Sequence, residues 1–258
     1  MIKTAYKIAE FIGGLGLISR PGRIRAYWYE TPEIKNFGDM LTPYLIQKIT
    51  GEYPELVNEH SVRTYYVVCG SIMRKINRKA IVWGAGIMKK DDAVKRPEKV
   101  FAVRGPLTRQ RLLDLGYLCP ETYGDPALLL PLFYNPPTTK QYEIGIIPHY
   151  VDYEKVQAMN LQKEIHVINI LNSVESVIDQ INKCQYIFSS SLHGIITAHA
   201  YDIPSLWCRI SNDIAGDGSK FFDYFSSIGK KTYEPLDFHT IKFEIDEVRK
   251  LFLEKEQL

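Results

Sequence analysis

The sequence predicts an α/β fold built on parallel sheets, and three observations support it. Short β-branched and aromatic segments alternate with segments of helical periodicity, a pattern typical of parallel sheets covered by helices. Several strand segments are almost continuously apolar, as expected when both faces of a sheet are buried. A polar, proline-containing break at 134–141 separates two α/β halves. We therefore expect two Rossmann-like domains facing a cleft, one at 1–135 and the other at 140–258.

The first half contains two segments with clear helical signals. The segment 39–51 repeats leucine or isoleucine every four residues and ends at Gly51, a residue type that favours the end of a helix. The segment 106–116 begins with Pro106, which is well tolerated in a first helical turn, and ends at Gly116. Strands are predicted around these helices at 25–30, 64–70, 80–86 and 99–105.

The second half shows the same alternation of strands and helices. A helix is predicted at 173–184, beginning at Ser173, because serine is a common N-cap residue. The amphipathic segment from Ile245 predicts a closing C-terminal helix. Each half therefore supplies its own set of strands. In the second half they are predicted at 143–149, 165–170, 185–190 and 204–210.

Composition and charge exclude several classes of protein. The formal net charge is +2, from 32 basic and 30 acidic side chains, so the chain lacks the basic excess of a nucleic-acid-binding protein. The four cysteines form no CxxC pair, and we expect buried, reduced thiols in a cytoplasmic protein. No stretch approaches the roughly 18 apolar residues of a transmembrane helix. The segment 1–19 predicts a short helix rather than a signal peptide, which leaves peripheral association with the inner face of a membrane open.

Polar residues at the carboxyl ends of strands are the candidate site residues, because open parallel sheets bind their ligands there. Arg104 ends a predicted strand just before a helix N-terminus, and a guanidinium beside free N–H groups favours anion binding. His149 and His193 both follow strands of the second half, which predicts that they converge. Together these residues indicate an anion site with histidine acid–base chemistry.

Other positions near strand ends have more than one interpretation. Gly84 and Gly86 either let a ligand approach or form tight packed turns. Asp125 precedes a proline and is interpreted as a helix N-cap. Asp39 is expected to cap the helix that follows it. With Asn36, it is also expected to face the cleft and contact an acceptor substrate.

No motif for a metal ion or a nucleotide cofactor is present in the sequence. The glycines at 84–86 lack the third glycine of a dinucleotide fingerprint, and Lys89 stands at that position. The chain has no HExxH or DxD motif, no paired Cys/His spacing, no Walker motif and no GxSxG elbow. We therefore expect neither a cofactor nor a metal.

One ordered series of segments runs through about residues 36–229. It consists of NFGD (36–39), WGAGI (83–87), VRGPLT (103–108), GDPALLL (124–130), IPHY (147–150), SSLHGIITAHAYDIP (190–204) and KFFDYFSSIG (220–229). This series resembles the polysaccharide pyruvyl transferase family. The resemblance implies a glycosyltransferase-B-like arrangement of the two domains. It also implies transfer of a pyruvyl group from phosphoenolpyruvate to a sugar as a cyclic ketal, in exopolysaccharide or capsule biosynthesis.

The resemblance further implies roles for individual residues on the donor side. The histidine of the family's Leu-His motif is its proposed acid catalyst and matches His193, and one donor-binding arginine matches Arg104. The other donor contacts implied are Ser190, Ser191, Leu192 and Gly194.

The chain departs from the family at one of these donor positions. The family has Arg-Leu-His where this chain has Ser191 before the Leu-His pair, so one anion-binding arginine is missing. We expect Arg209, at the end of the next strand, or Lys220 to replace it.

The acceptor is expected to be a galactose-like sugar of a polysaccharide or of its lipid-linked precursor. Two other functions stay open at this point. One is a nucleotide-sugar-dependent glycosyltransferase on the same two-domain frame, although no acidic residue stands close to the Leu-His motif. The other is an inactive partner subunit of a polysaccharide assembly complex, which the missing arginine keeps open. The residues expected on the acceptor side are Asn36, Asp39, Gly84, Gly86 and His149, the last as a base on a hydroxyl.

Overall fold

The computed structural model describes residues 23–159 and 161–256, and within them the chain forms two five-stranded parallel sheets. The helix predicted at 1–19 lies outside these residues. The first sheet consists of β1 (Arg25–Ala26), β2 (Glu55–Leu56), β3 (Tyr65–Val67), β4 (Ala80–Trp83) and β5 (Lys99–Ala102), in the order β2-β1-β3-β4-β5. The second consists of β6 (Tyr142–Ile147), β7 (Ile165–Val167), β8 (Cys184–Ser189), β9 (Ser205–Arg209) and β10 (Leu236–Asp237), in the order β10-β9-β8-β6-β7.

Eight α-helices connect these strands within the described residues. They are α1 (Phe37–Thr50), α2 (Pro106–Asp114), α3 (Leu130–Phe133), α4 (Tyr153–Gln157), α5 (Val174–Asn182), α6 (Leu192–Ala200), α7 (Ser219–Ser227) and α8 (Ile245–Glu256). The prediction of an α/β fold with parallel sheets is confirmed. The glycosyltransferase-B-like arrangement and the domain bounds stay predictions.

All eight predicted strands are present, but each ends earlier than predicted. Backbone conformation explains this at β4, because Gly84 adopts φ +102° directly after the strand and turns the chain away. The strands β2 and β10 were not predicted. Each has two residues, which are too few to show the alternation from which strands are predicted.

The start of α1 differs from its prediction. The helix begins at Phe37, with Asn36 at the N-cap, so the expected capping role of Asp39 is wrong and Asp39 lies inside the first turn. An acidic residue there still favours the helix, because it faces the positive end of the helix dipole. The helix ends as predicted at Gly51, which adopts the left-handed conformation with φ 80°.

The two halves share part of one hydrophobic core. The predicted break at 134–141 contains no helix or strand. Phe37 and Leu41 of α1, before the break, belong to the same buried cluster as Ile195 and Ile196 of α6, after it. The backbone N–H of Phe37 also donates to the carbonyl of Ile170, in the second half, at 2.8 Å. Helix α1 is therefore packed between the halves.

A buried ion pair joins the halves where their strands end. Arg104, which follows β5, has no exposed surface, and its Nε donates to Asp223 Oδ2 at 3.0 Å, with Nη2 at the same distance. Asp223 belongs to α7, and it also accepts from the Thr108 N–H at 2.9 Å and hydroxyl at 2.6 Å. It therefore caps the N-terminus of α2 from the opposite half. A Cβ atom at Gly105 would overlap the backbone of Asp223, so this approach requires glycine.

We predict that Asp223→Asn lowers the free energy of unfolding by about 3–5 kcal/mol, because it leaves the buried Arg104 guanidinium without a counter-charge. Urea unfolding at neutral pH measures this change. The matched control is Asp246→Asn, which removes an exposed partner of Arg249 at 3.6 Å and should produce no measurable change. A loss of less than about 1 kcal/mol for Asp223→Asn would contradict the prediction.

Candidate functional site

Side chains from both halves converge between the carboxyl ends of the two sheets. Asn36 and Asp39 lie at the start of α1, His193 in the first turn of α6 and Lys220 in the first turn of α7. The Asn36 amide donates to Asp39 Oδ2 at 3.1 Å. Burial raises the pKa of Asp39 to about 6, and His193, Asn36 and Lys220 all act in the opposite direction. A carboxyl with this pKa changes charge close to neutral pH, as groups that transfer protons commonly do.

The two ring nitrogens of His193 have different surroundings. Nε2 is buried, has no hydrogen-bond partner among the described residues and lies 3.5 Å from Asp125 Oδ2. Nδ1 lies beside Gly38, where a Cβ atom would overlap it. The His193 side chain keeps 11% exposure, and Nε2 is fully covered while Nδ1 is not. The ring is therefore held in a narrow slot with Nδ1 toward its open side.

Asp125 has the predicted capping role and a second contact that the sequence did not indicate. Its Oδ1 accepts from the Ala127 N–H at 3.0 Å and caps the short 3₁₀ helix Pro126–Leu129. Its Oδ2 faces His193 Nε2 at 3.5 Å. The Cys69 thiol lies nearby, and burial together with the Asp125 carboxylate raises the pKa of Cys69 well above its ordinary value. Cys69 is therefore a neutral thiol.

A cavity of about 300 Å³ opens beside this cluster, at the carboxyl ends of β8 and β9. Burial, followed by the charge of Arg104, lowers the pKa of Lys220 in its wall to about 8, while Asp39 opposes the shift. Lys220 is therefore charged at neutral pH, and Arg209 is an exposed second cation. Two cations and a hydroxyl in one cavity suit an anionic ligand. The residues lining it include Ser190, Trp207, Arg209, Ser211, Asn212, Asp217, Gly218 and Lys220.

His149 lies next to the cavity through its contact with Ser190. The backbone N–H of His149 donates to the Ser190 hydroxyl oxygen at 2.8 Å, which leaves the hydroxyl hydrogen free to donate to a ligand. Burial and the charge of Lys220 lower the pKa of His149 to about 4, with Asp152 opposing. The ring is therefore neutral at neutral pH, and its surroundings disfavour protonation.

Three predicted donor contacts, Ser191, Leu192 and Gly194, are not among the residues that line the cavity. Ser191 is the N-cap residue of α6, although its side chain makes no capping hydrogen bond. Leu192 belongs to the shared hydrophobic core. A Cβ atom at Gly194 would crowd Ser189 and Ile147, so this glycine permits close packing of α6 on the sheet.

Arg104, Gly84 and Gly86 are all buried in protein contacts. The Arg104 guanidinium donates to the Ser71 hydroxyl and the Ile87 carbonyl, each at 2.7 Å, in addition to Asp223. Its anion-binding role stays a prediction, and in this structure it offers no exposed surface. A Cβ atom at Gly84 would overlap Pro126, and one at Gly86 would overlap the Arg104 guanidinium. Both glycines therefore have a packing role here.

Two residues of this cluster carried little signal in the sequence. Gly38 was visible only as the glycine of NFGD, and nothing in the sequence showed that it lies against His193. Asp223 stands inside an aromatic helix segment, 119 residues from Arg104. Among residues 23–159 and 161–256, no three His, Cys, Asp or Glu side chains are grouped closely enough to hold a metal ion. No helix in those ranges has the length and apolar character needed to cross a membrane.

Comparisons with known proteins match most of the chain. A family model described as polysaccharide pyruvyl transferase matches residues 25–212. An uncharacterized protein, L143, of Acanthamoeba polyphaga mimivirus is 28% identical over 207 residues, which are 75% of this chain and 71% of the relative. The succinoglycan biosynthesis protein ExoV of Rhizobium meliloti (strain 1021) is 25% identical over 227 residues, 82% of this chain and 67% of the relative. The matched range includes Asn36, Asp39, Asp125 and His193 and ends before Lys220.

We predict that Gly38→Ala displaces the His193 ring, because the added Cβ would overlap Nδ1. The NMR signals of His193 should move, and they are assigned by comparison with a His193→Gln variant. The control is Gly51→Ala, which should cost about 1 kcal/mol of stability at its left-handed φ and leave the His193 signals unchanged. Unchanged His193 signals in Gly38→Ala would show that the slot can widen.

Proposed function

The chain belongs to the polysaccharide pyruvyl transferase family, and from this premise we propose that it transfers a pyruvyl group from phosphoenolpyruvate to two hydroxyls of one sugar as a cyclic ketal. One observation carries the proposal. The cavity contains Lys220 and Arg209, and His193, whose Nδ1 is not fully covered, acts on the same Asp39 carboxyl as Lys220. Phosphoenolpyruvate needs both features, because it has two anionic groups and a double bond that must be protonated.

The proposed reaction needs no oxidant and no cofactor. A proton added to the methylene carbon of phosphoenolpyruvate makes a methyl group and leaves the neighbouring carbon electron-deficient. One sugar hydroxyl attacks that carbon and loses its proton. The bond to the phosphate oxygen then breaks, the second hydroxyl attacks, and it too loses its proton. Of the two hydroxyl protons, one restores the acid and the other leaves with inorganic phosphate.

The donor is held by the cations and hydroxyls of the cavity. Lys220 and Arg209 neutralise the phosphate and carboxylate, and Ser190 donates its free hydroxyl hydrogen. These residues replace the arginine that is missing at Ser191. Arg104 acts on the donor only at a distance, since its charge lowers the pKa of Lys220 from within the junction.

Different residues supply the acid and the base of the proposed reaction. His193 supplies the proton to the methylene carbon from its accessible Nδ1. Asp39 is suited to accept one hydroxyl proton, because its pKa of about 6 leaves it largely unprotonated at neutral pH yet close to the range of an effective base, and the other hydroxyl proton restores His193. His149 keeps its predicted role as a base on a hydroxyl, but its pKa of about 4 makes it the weaker proton acceptor. Asn36 holds Asp39 in place through its hydrogen bond.

The acceptor is a sugar of a cell-surface polysaccharide or of its lipid-linked precursor, and a galactose-like ring is the first choice. The name of the relative from Rhizobium meliloti, a succinoglycan biosynthesis protein, supports a polysaccharide as the acceptor class. A lipid-linked acceptor would bring the enzyme to the inner face of a membrane as a peripheral protein.

We predict that incubation with phosphoenolpyruvate and a panel of galactosides adds one pyruvyl group per acceptor and releases one phosphate, as measured by mass spectrometry and a phosphate assay. His193→Gln should lower turnover by about 10²–10⁴-fold, because it removes the proton donor, and should keep donor binding within several-fold. His60→Gln, an exposed histidine in the first half, is the control and should behave as wild type.

Other outcomes of the same experiment identify the alternatives. Wild-type turnover by His193→Gln would remove His193 from the mechanism. Thermal stabilisation by UDP- or GDP-sugars rather than by phosphoenolpyruvate would indicate a glycosyltransferase. Loss of the polymer on deletion of the gene, with rescue by His193→Ala, would indicate an inactive partner subunit.

We predict that donor binding weakens as pH rises through about 8, because Lys220 loses its charge there. Above that pH the dissociation constant for phosphoenolpyruvate should rise by up to about tenfold per pH unit, as measured by calorimetry from neutral to alkaline pH. Lys220→Arg should abolish the rise, since arginine stays charged. Arg209→Ala should weaken binding at every pH and keep the rise. If Arg209→Ala and Lys220→Ala both leave the donor KM unchanged, neither replaces the missing arginine.

A further inference from the structure

We propose that Asp125 is a positioning residue that keeps a hydrogen on Nε2 of His193, so that Nδ1 is the atom that delivers and recovers the catalytic proton. The position of the hydrogen is a property of the folded protein. Its consequence for turnover rests on the proposed function.

Asp125 is rigidly placed for this role. It has no exposed surface, and its Oδ1 is held by the Ala127 N–H at 3.0 Å. The next residue, Pro126, packs so closely on Gly84 that a Cβ atom there would overlap it. The direction of the carboxylate is therefore set by the chain on both sides, and Oδ2 has one orientation.

Asp125 Oδ2 and His193 Nε2 face each other inside the protein. Both atoms are fully buried and lie 3.5 Å apart, and Nε2 has no other hydrogen-bond partner among the described residues. The Cys69 thiol is a second, neutral donor beside the same carboxylate, which has two oxygens to accept both hydrogens. Leaving two buried polar atoms unpaired is costly, whereas a hydrogen on Nε2 pointing at Oδ2 satisfies both. The separation exceeds that of an ordinary N–H···O bond, and such contacts commonly shorten when a substrate binds.

The other ionisable groups near Asp125 are neutral, so neither replaces its carboxylate as the acceptor of the hydrogen on His193 Nε2. Burial and the Asp125 carboxylate raise the pKa of both Cys69 and Tyr224 well above their ordinary values, so both stay neutral. The Tyr224 hydroxyl is in addition 3.0 Å from His199 Nδ1. Asp125 is therefore the group that directs the buried side of the imidazole.

Nδ1 is therefore the ring nitrogen that gives and takes up the catalytic proton. With Nε2–H directed at Asp125, the protonated ring carries its second hydrogen on Nδ1, beside Gly38. Transfer of that proton to the methylene carbon leaves a neutral imidazole with hydrogen on Nε2. Nδ1 is then free to take up a proton from a sugar hydroxyl, so the ring returns to its starting state without rotating.

The contact also makes the site dependent on both halves of the chain. Asp125 follows the first sheet and His193 follows β8, so the pair exists only while the halves are packed together. The Arg104–Asp223 junction holds them in that arrangement. An isolated second half would therefore carry the histidine without the residue that orients it.

The test is Asp125→Asn, followed by nitrogen NMR of the His193 ring at a pH where it is neutral. The asparagine Oδ1 should stay on the Ala127 N–H, so its amide NH₂ faces Nε2 and donates to it. Wild type should show hydrogen on Nε2, and the variant should show hydrogen on Nδ1. Turnover should fall by about 10²-fold or more, with the donor KM within about threefold, since the acid is misplaced but the cavity is intact.

A matched control is available at the other end of the chain. Asp246, in the first turn of α8, is 92% exposed and pairs with Arg249 at 3.6 Å. Asp246→Asn makes the same chemical change away from the cavity and should leave both the His193 signals and turnover unchanged. Hydrogen on Nε2 in both wild type and Asp125→Asn, or turnover within about threefold of wild type in an active enzyme, overturns the proposal. A switch of the hydrogen in a protein that transfers no pyruvyl group would uphold the positioning role and refute the proposed function.

Discussion

The fold depends on one buried contact between a guanidinium and a carboxylate. Arg104 leaves the first sheet and Asp223 comes from the second half, and neither has exposed surface. Withdrawing both charges from water is costly, and it is offset only when every donor and acceptor finds a partner. Thr108, Ser71 and Ile87 supply those partners, and Gly105 leaves the space that the contact needs. The carboxyl ends of the two sheets are thereby brought to one place.

The electrostatics of the site follow from that closure. Burial between the halves disfavours charge, so it raises the pKa of Asp39 to about 6 and lowers those of Lys220 and His149 to about 8 and about 4. The Arg104 guanidinium is paired with Asp223 inside the junction and still acts on Lys220 through its charge, and Lys220 and Arg209 are the cations that line the cavity. The packing of the two halves therefore buries Arg104 and shifts the pKa values of the ionisable groups around the cavity.

Local sequence was a good guide wherever the signal was local. Alternation and apolar runs located eight strands, Gly51 ended α1 as predicted, and the residue before Pro126 capped its helix. The errors were also local in origin, since Asp39 lies inside the helix it was expected to cap and the strands β2 and β10 are too short to carry a pattern. For the site, the strand ends indicated where to look for polar groups, and the structure brings Asp39, His193 and Lys220 close together there. The strand ends did not indicate which of the polar side chains, such as Arg104, would be paired with other protein groups instead of facing a ligand.

The sequence by itself determined the α/β alternation, the break at 134–141 and the family, because each rests on the order of residues along the chain. Only the tertiary structure decided that Arg104 faces Asp223, 119 residues away, and that Asp125 faces His193. No periodicity or motif encodes such pairs. They arise from the angle at which two separately patterned halves pack, and that angle is set by shape and buried charge summed over the whole interface.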